Sequence, residues 1–332
     1  MKLFNIIIPS IKNDQRLKRC LEGIQKQSFE DFFVTLVLDE NENLKDLKKY
    51  KFKIKVLINK NKINMSMKRN WAANKFKSYF LAFIDSDAYP SRNWLKNSEY
   101  IIKKKIDCFG GPNIPFGKSS YSQKISYYCK RSFFVTAHYN FIKYLSANRN
   151  CQWLDSSNMI INRKRFLSIN GMNKNLYIGE DHDFFFRLKK KFPNLLIFFF
   201  KKIYVFHEDR EIQYYFFQRF CYGLNVFTSK NTLAKRVLAL IPVISIFLFI
   251  YYFFILSIKF FFVLMLSSFI LISVFIYLEI KKYIKNNIDR FVVILAIFLC
   301  NLFYGLGTIS YFLCLRNLVE KKIYRKIKKD YN

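Results

Sequence analysis

The sequence predicts a largely parallel α/β domain followed by a set of membrane-spanning helices. Two observations carry this reading: short β-type runs alternate with helix-forming stretches up to about residue 210, and long uncharged runs follow one another beyond Arg236. The 332 residues, 52% of them hydrophobic, suffice for one large domain or two ordinary ones, so the first boundary is set by where the charges stop.

Taken in order, Phe4 to Ile8 is a short strand-like run. Leu17, Cys20, Leu21 and Ile24 then recur at helical spacing behind Asp14, a suitable N-cap. Phe32 to Leu38, Ile54 to Ile58 and Tyr79 to Ile84 again read as strands, with charged or helix-forming stretches between them. Such alternation implies a sheet covered by helices on both faces. Ligands of these sheets sit beyond the carboxyl ends of the strands, which directs attention to the polar residues that follow each run.

Three uncharged runs come next: Val237 to Ile258, Phe260 to Leu278 and Phe291 to Leu315, of 22, 19 and 25 residues. Each is long enough to cross a bilayer, and a buried helix of a soluble protein would not lack a charged face three times in succession. The stretch between, Glu211 to Arg236, sets Tyr214, Phe217, Phe220 and Leu224 among Arg219, Lys230, Lys235 and Arg236. That mixture suits the bilayer interface.

The formal charge of +33 spreads as lysine through the soluble part, and no zinc-finger spacing or RNP signature accompanies it, so no nucleic-acid partner is expected. Seven cysteines form no CxxC pair and read as reduced, buried thiols. Pro9 and the polar stretch from Lys12 to Arg19 interrupt the N-terminal apolar run before a signal peptide is complete, so the first domain is expected to stay in the cytoplasm.

The central chemical signal is Asp85-Ser86-Asp87, directly after the run Tyr79 to Ile84. Side chains two apart in an extended segment point the same way, so both carboxylates can face one site. Carboxylates at a strand's carboxyl end suit a divalent cation, magnesium or manganese, that bridges to phosphates. Glu180 and Asp181 open a helical stretch that continues through Phe184, Phe185 and Leu188. Neighbours on a helix do not share a face, so only one of the two reaches a common site.

These pieces occur in a particular order: FNIIIPS at 4–10, VLDE ending in Asp39 and Glu40, SMKRN at 66–70, FIDSDAYPSRNWL at 83–95, SSNMIINRKRF at 156–166 and GEDHDFFFRL at 179–188. In order and spacing the set resembles the family 2 glycosyltransferases of GT-A fold, over roughly the first 210 residues. The resemblance implies that Pro9 and Ser10 lie against a nucleotide, that Asp39 hydrogen-bonds its base, and that Arg69 approaches it. Asp85 would contact the ribose or the cation, and Asp87 would be the metal ligand. Asp181 would be the catalytic base, its ionised form favoured by the helix N-terminus, while Glu180 caps the helix. His207, after the run Ile203 to Phe206, is either a further metal ligand or a structural histidine; His138 and His182 have no comparable context. Gly111, within Gly110-Gly111-Pro112, and Asn158 resemble the donor-sugar and acceptor loops.

Processive relatives carry a QxxRW motif after the acidic pair. The sequence QYYFFQRFCYG at 213–223 lacks it, which implies transfer of one sugar per encounter. The expected organisation is a GT-A domain at 1–210, an interfacial amphipathic connector at 211–236 and a membrane region at 237–332. With the catalytic domain inside, three spans would place the basic tail from Arg316 outside, against the positive-inside rule. The segment Phe291 to Leu315 is accordingly a re-entrant or interfacial segment, or a span that breaks the rule, and the first two spans form a hairpin turning at Lys259.

The resemblance further implies inverting transfer from a nucleotide-diphosphate sugar to a hydroxyl of a lipid-linked or growing glycan, at a bacterial inner membrane, in envelope polysaccharide synthesis. Two alternatives are a polyprenyl-phosphate glycosyltransferase and a non-catalytic, membrane-tethered scaffold that binds nucleotide-sugar.

Overall fold

The computed structural model describes residues 1–39, 44–59, 61, 64–117, 119–136, 148–176, 179–227 and 233–315. Glu40, His138 and the basic tail from Arg316 lie outside them. The chain divides into two compact units, Met1–Gly117 with Ser146–Glu208, and Lys118–Leu145 with Asp209–Asn332.

In the first unit β1 (Phe4–Pro9), β2 (Phe32–Leu38), β3 (Ile54–Ile58) and β4 (Phe80–Ile84) are parallel and fall within a residue of the runs predicted above. Their apolar runs are unbroken because both faces are covered. Phe4, Ile6 and Ile8 enter one core with Leu17, Leu21 and Ile24 of the helix Gln15–Gln25, while Ile7 enters a second core with Ala72, Phe184 and Leu188. Asp14 caps that first helix as its position suggests, accepting from the backbone N–H groups of Arg16 and Leu17.

The remaining strands are β5 (Ala88–Pro90), β6 (Cys108–Gly110), β7 (Asn113–Pro115), β8 (Arg149–Asn150), β9 (Asn158–Asn162), β10 (Ile197–Phe199) and β11 (Val205–His207). The main sheet has the order β3-β2-β1-β4-β9-β6-β10-β8, with β9 antiparallel to both its neighbours. A small sheet of order β5-β11-β7 stands apart from it. The fold is therefore GT-A-like: a mostly parallel central sheet with helices on both faces. Registers Pro9↔Val37 and Ile7↔Phe83 bring the carboxyl ends of β1, β2 and β4 to one edge.

The second unit is helical in its described residues, and includes Tyr121–Arg131 as well as C-terminal elements. The helix Ile212–Asn225 packs closely on Asn287–Phe312. A Cβ at Gly223 would stand 2.0 Å from the Tyr304 carbonyl oxygen, and one at Gly307 equally close to that of Phe220. Glycine at these positions lets the two backbones touch. Arg219, predicted at the bilayer interface, is buried, its guanidinium stacked over the Tyr304 ring at 4.6 Å.

Arg236–Ile255, within the helix Leu233–Ile255, and the helices Ile258–Ile280 and Asn287–Phe312 are each long and apolar enough to cross a membrane. The turn between the first two falls at Leu256 and Ser257, two residues before Lys259, which lies within the second helix. The third is one unbroken helix of 26 residues, about 39 Å at 1.5 Å per residue. It buries Val293, Ala296, Ile297 and Cys300, whereas the first two leave most of their apolar side chains exposed.

Candidate active site

Asp85 and Asp87 follow β4 immediately, and β5 then pairs with β11 so that His207 lies opposite Ala88. That register carries the imidazole to the two carboxylates although the chain separates them by more than a hundred residues. His207 Nε2 is 3.4 Å from Asp87 Oδ1 and 3.8 Å from Asp85 Oδ2. One ligand atom from each of the three residues lies within 4.8 Å of the others. Two carboxylates and an imidazole at this spacing are a donor set that fits a divalent cation.

The helix Met65–Lys75 supplies the next layer. Its buried residues include Ser66, Lys68 and Arg69 beside Ala72 and Ala73, so it turns charge inward. Lys68 Nζ donates to Asp39 Oδ2 at 2.7 Å and to the Ser10 carbonyl at 2.6 Å, joining the ends of β1 and β2. Desolvation lowers the Lys68 pKa, against the opposing pull of Asp39. Arg69 donates to Asp85 Oδ1 at 2.7 Å and lies 3.6 Å from Glu180 Oε1. Asn70 clasps the backbone of Met172, accepting from its N–H and donating to its carbonyl. Lys68 stands inside a motif recognised from the sequence, yet only its neighbour Arg69 was singled out there.

Glu180 and Asp181 begin the helix Glu180–Lys191, whose N-cap is Gly179 at φ 82°, with no side-chain capping bond. Glu180 is thus the first helical residue rather than the cap expected above, and its carboxylate lies 3.6 Å from Arg69. Asp181 Oδ2 accepts from the Ser156 N–H at 3.3 Å. Burial, and then the neighbouring charge of Glu180, push the Asp181 carboxyl well above the usual range, with Arg69 opposing them. The helix N-terminus was expected to favour its ionised form, and burial outweighs it. Burial also acts to raise Asp85, but the adjacent Arg69 and His207 win and hold it at about 2.

Gly111 and Asn158 are drawn into the interior. A Cβ on Gly111 would lie 1.9 Å from the Ile203 carbonyl oxygen. Asn158 is 1% exposed; it accepts from Trp94 Nε1 at 2.9 Å and donates to the carbonyls of Ile203 and Pro112. Pro9 and Ser10 lie where β1 ends, and the Ser10 hydroxyl donates to the Lys12 carbonyl.

A carboxylate pair behind a central strand of a mostly parallel sheet, with a second acidic pair opening a later helix, is the arrangement that the GT-A resemblance implies. Residues 5–167 match the family model described as Glycosyl transferase family 2. Glu180, Asp181 and His207 lie beyond the matched residues. Among solved structures, the chain is similar to the mannosyltransferase PcManGT from Pyrobaculum calidifontis in complex with GDP-Man and Mn2+, at a TM-score of 0.64 and 8% identity, covering 94% of this chain and 87% of that one. It is also similar to S. aureus TarS 1-349 in complex with UDP-GlcNAc, at a TM-score of 0.49 and 16% identity, covering 93% and 91%. A search of curated proteins finds no match.

Proposed function

We propose that this glycosyltransferase moves a sugar, with inversion, from a nucleotide-diphosphate donor to a hydroxyl of a lipid-linked or growing glycan at the membrane in which its helices sit. The observation that carries the proposal is the meeting of Asp85, Asp87 and His207 at the carboxyl edge of the sheet, tied through Arg69 to the acidic pair Glu180 and Asp181. Asp39, held by Lys68, would accept a hydrogen bond from the base, beside Pro9 and Ser10 at the end of β1.

Asp87 and His207, with Asp85, would hold a divalent cation, magnesium or manganese. When bound it would neutralise charge developing on the leaving diphosphate. The Pyrobaculum mannosyltransferase of this fold, complexed with GDP-Man and Mn2+, supports that reading. Asp181 would take the acceptor proton. Its raised pKa makes its ionised form a stronger base, present over a higher pH range. The lack of a QxxRW motif supports single transfers, and an envelope glycan at a bacterial inner membrane, with the catalytic unit in the cytoplasm, is the setting we propose.

A second reading is transfer to a polyprenyl phosphate, whose acceptor oxygen is already ionised and needs no base. The test is calorimetry of the detergent-purified chain against a panel of nucleotide sugars with manganese, followed by transfer to lipid-linked sugar and to polyprenyl phosphate. Binding of a nucleotide sugar with transfer to the hydroxyl acceptor supports the first reading; transfer only to the phosphate replaces it with the second. Absence of both binding and turnover overturns the proposal.

A further inference from the structure

We infer that the Arg19–Glu208 ion pair is a positioning device for His207, setting which nitrogen of the imidazole faces the cation site. The inference rests on the reading of His207 as a metal ligand. An imidazole ligand is effective when its second nitrogen is tied down, because that bond fixes both the tautomer and the plane of the ring. Here Nδ1 lies 2.7 Å from the backbone carbonyl oxygen of Glu208. A carbonyl can only accept, so the hydrogen sits on Nδ1. The Nε2 edge is thereby turned to Asp87 Oδ1 at 3.4 Å and Asp85 Oδ2 at 3.8 Å.

The carbonyl that does this belongs to a residue just past the end of β11, where no ladder partner fixes the peptide. The Glu208 side chain supplies the missing restraint. Its carboxylate accepts from the Arg19 guanidinium and lies 3.9 Å from Arg16 Nε, on the same face of the first helix one turn earlier. The guanidinium is itself fixed, stacked 4.4 Å over the Phe116 ring. The helix beneath is anchored by Leu17, Cys20, Leu21 and Ile24, all fully buried. Arg19 and Glu208 are each about 30% exposed, at 32% and 29%, so the pair adds little to stability and can be removed with the fold intact.

The experiment is a titration of Mn2+ into the detergent-purified full chain by calorimetry, with nucleotide binding measured separately in chelator. Arg19→Ala and Glu208→Gln are each expected to weaken Mn2+ about tenfold or more, the usual effect of losing a partner that orients a ligand, with nucleotide binding unchanged. Arg19→Lys should recover part of the loss. His207→Ala should weaken Mn2+ at least as much, and adding Arg19→Ala to it should cost nothing further, since there is then no ring to orient. If His207→Ala weakens Mn2+ while Arg19→Ala does not, or if the two losses add, the positioning role is overturned and the ligand assignment stands. If His207→Ala binds Mn2+ as wild type, the ligand assignment fails and takes the inference with it.

Discussion

Arg69 and Asp85 meet at 2.7 Å, the arginine 3% exposed and the carboxylate 31%. The same guanidinium lies 3.6 Å from Glu180, so one buried cation serves carboxylates that stand 95 positions apart in the chain. Its own burial opposes its charge, and Asp85, Glu180 and Asp181 together more than restore it.

Removing that cation should therefore cost stability as well as activity. Arg69→Met leaves the facing carboxylates without a counter-charge, and breaking a buried pair from one side typically costs about 3–5 kcal/mol. A large fall in thermal midpoint with loss of donor binding is the expected result. Arg69→Lys, which keeps charge but cannot reach both partners, should fall between. A midpoint unchanged in Arg69→Met would show that the carboxylates do not depend on it.

Asp181→Asn should slow transfer to a hydroxyl acceptor by roughly a hundredfold or more while leaving donor affinity near normal, the usual size of a general-base contribution. Transfer to polyprenyl phosphate should survive the change. Glu180→Gln, by contrast, should weaken donor binding through Arg69.

The same carboxyl predicts a pH effect on stability. Its pKa is raised on folding, so its favourable contribution is complete below the ordinary carboxylate value of 3.8 and is lost as pH rises through the folded value. Asp181→Asn, which cannot ionise, should melt higher than wild type at neutral pH, and the gap should close as pH is lowered towards 4. Scanning calorimetry of both proteins across that range checks the sign; a gap that widens on acidification would contradict it.

Lys68→Met should destabilise the chain and weaken nucleotide binding, because Asp39 is left buried beside an apolar side chain. Adding Asp39→Asn removes the stranded charge and should recover stability. It should not recover nucleotide affinity if Asp39 reads the base, and parallel melting and binding curves separate the two effects.

In the helical second unit, Gly223→Ala and Gly307→Ala each place a methyl about 2.0 Å from a backbone oxygen. Neither neighbour is a movable side-chain tip, so both variants should lower thermal stability in detergent, whereas Gly117→Ala, with open space around it, should not.

The four parallel strands were legible because a strand buried on both faces must be apolar throughout, and the Asp85-Asp87 pair was legible because it follows such a strand. Lys68 was harder to see. Helix-reading by apolar spacing finds the face that turns inward, and the helix Met65–Lys75 turns Lys68 and Arg69 inward. The three-residue strands β5, β7 and β11 are too short to leave an alternating pattern, so the route by which His207 reaches Asp87 could not be inferred from spacing. Asn158 was legible as a special position, but its interior bonds to Trp94 and Ile203 depend on partners far apart in the chain. Nor does any local signal in Tyr121–Arg131 announce that it joins a core with Ile280 and Ile297.

Lys68, Arg69 and Asn70 are consecutive, yet they engage Asp39, Asp85 and Met172 respectively. Each step along an α-helix turns by about 100°, so these three residues work as an angular index. Inserting or deleting one residue between Asn64, the N-cap, and Lys68 would rotate all three targets out of reach at once while leaving composition and helical propensity nearly unchanged. The segment should therefore tolerate conservative replacement at several positions and no change of length at any. Asn64 sets the phase from which the rest is counted: it fixes the first turn by accepting from Met67 and ties it to the Lys174 carbonyl at 2.7 Å.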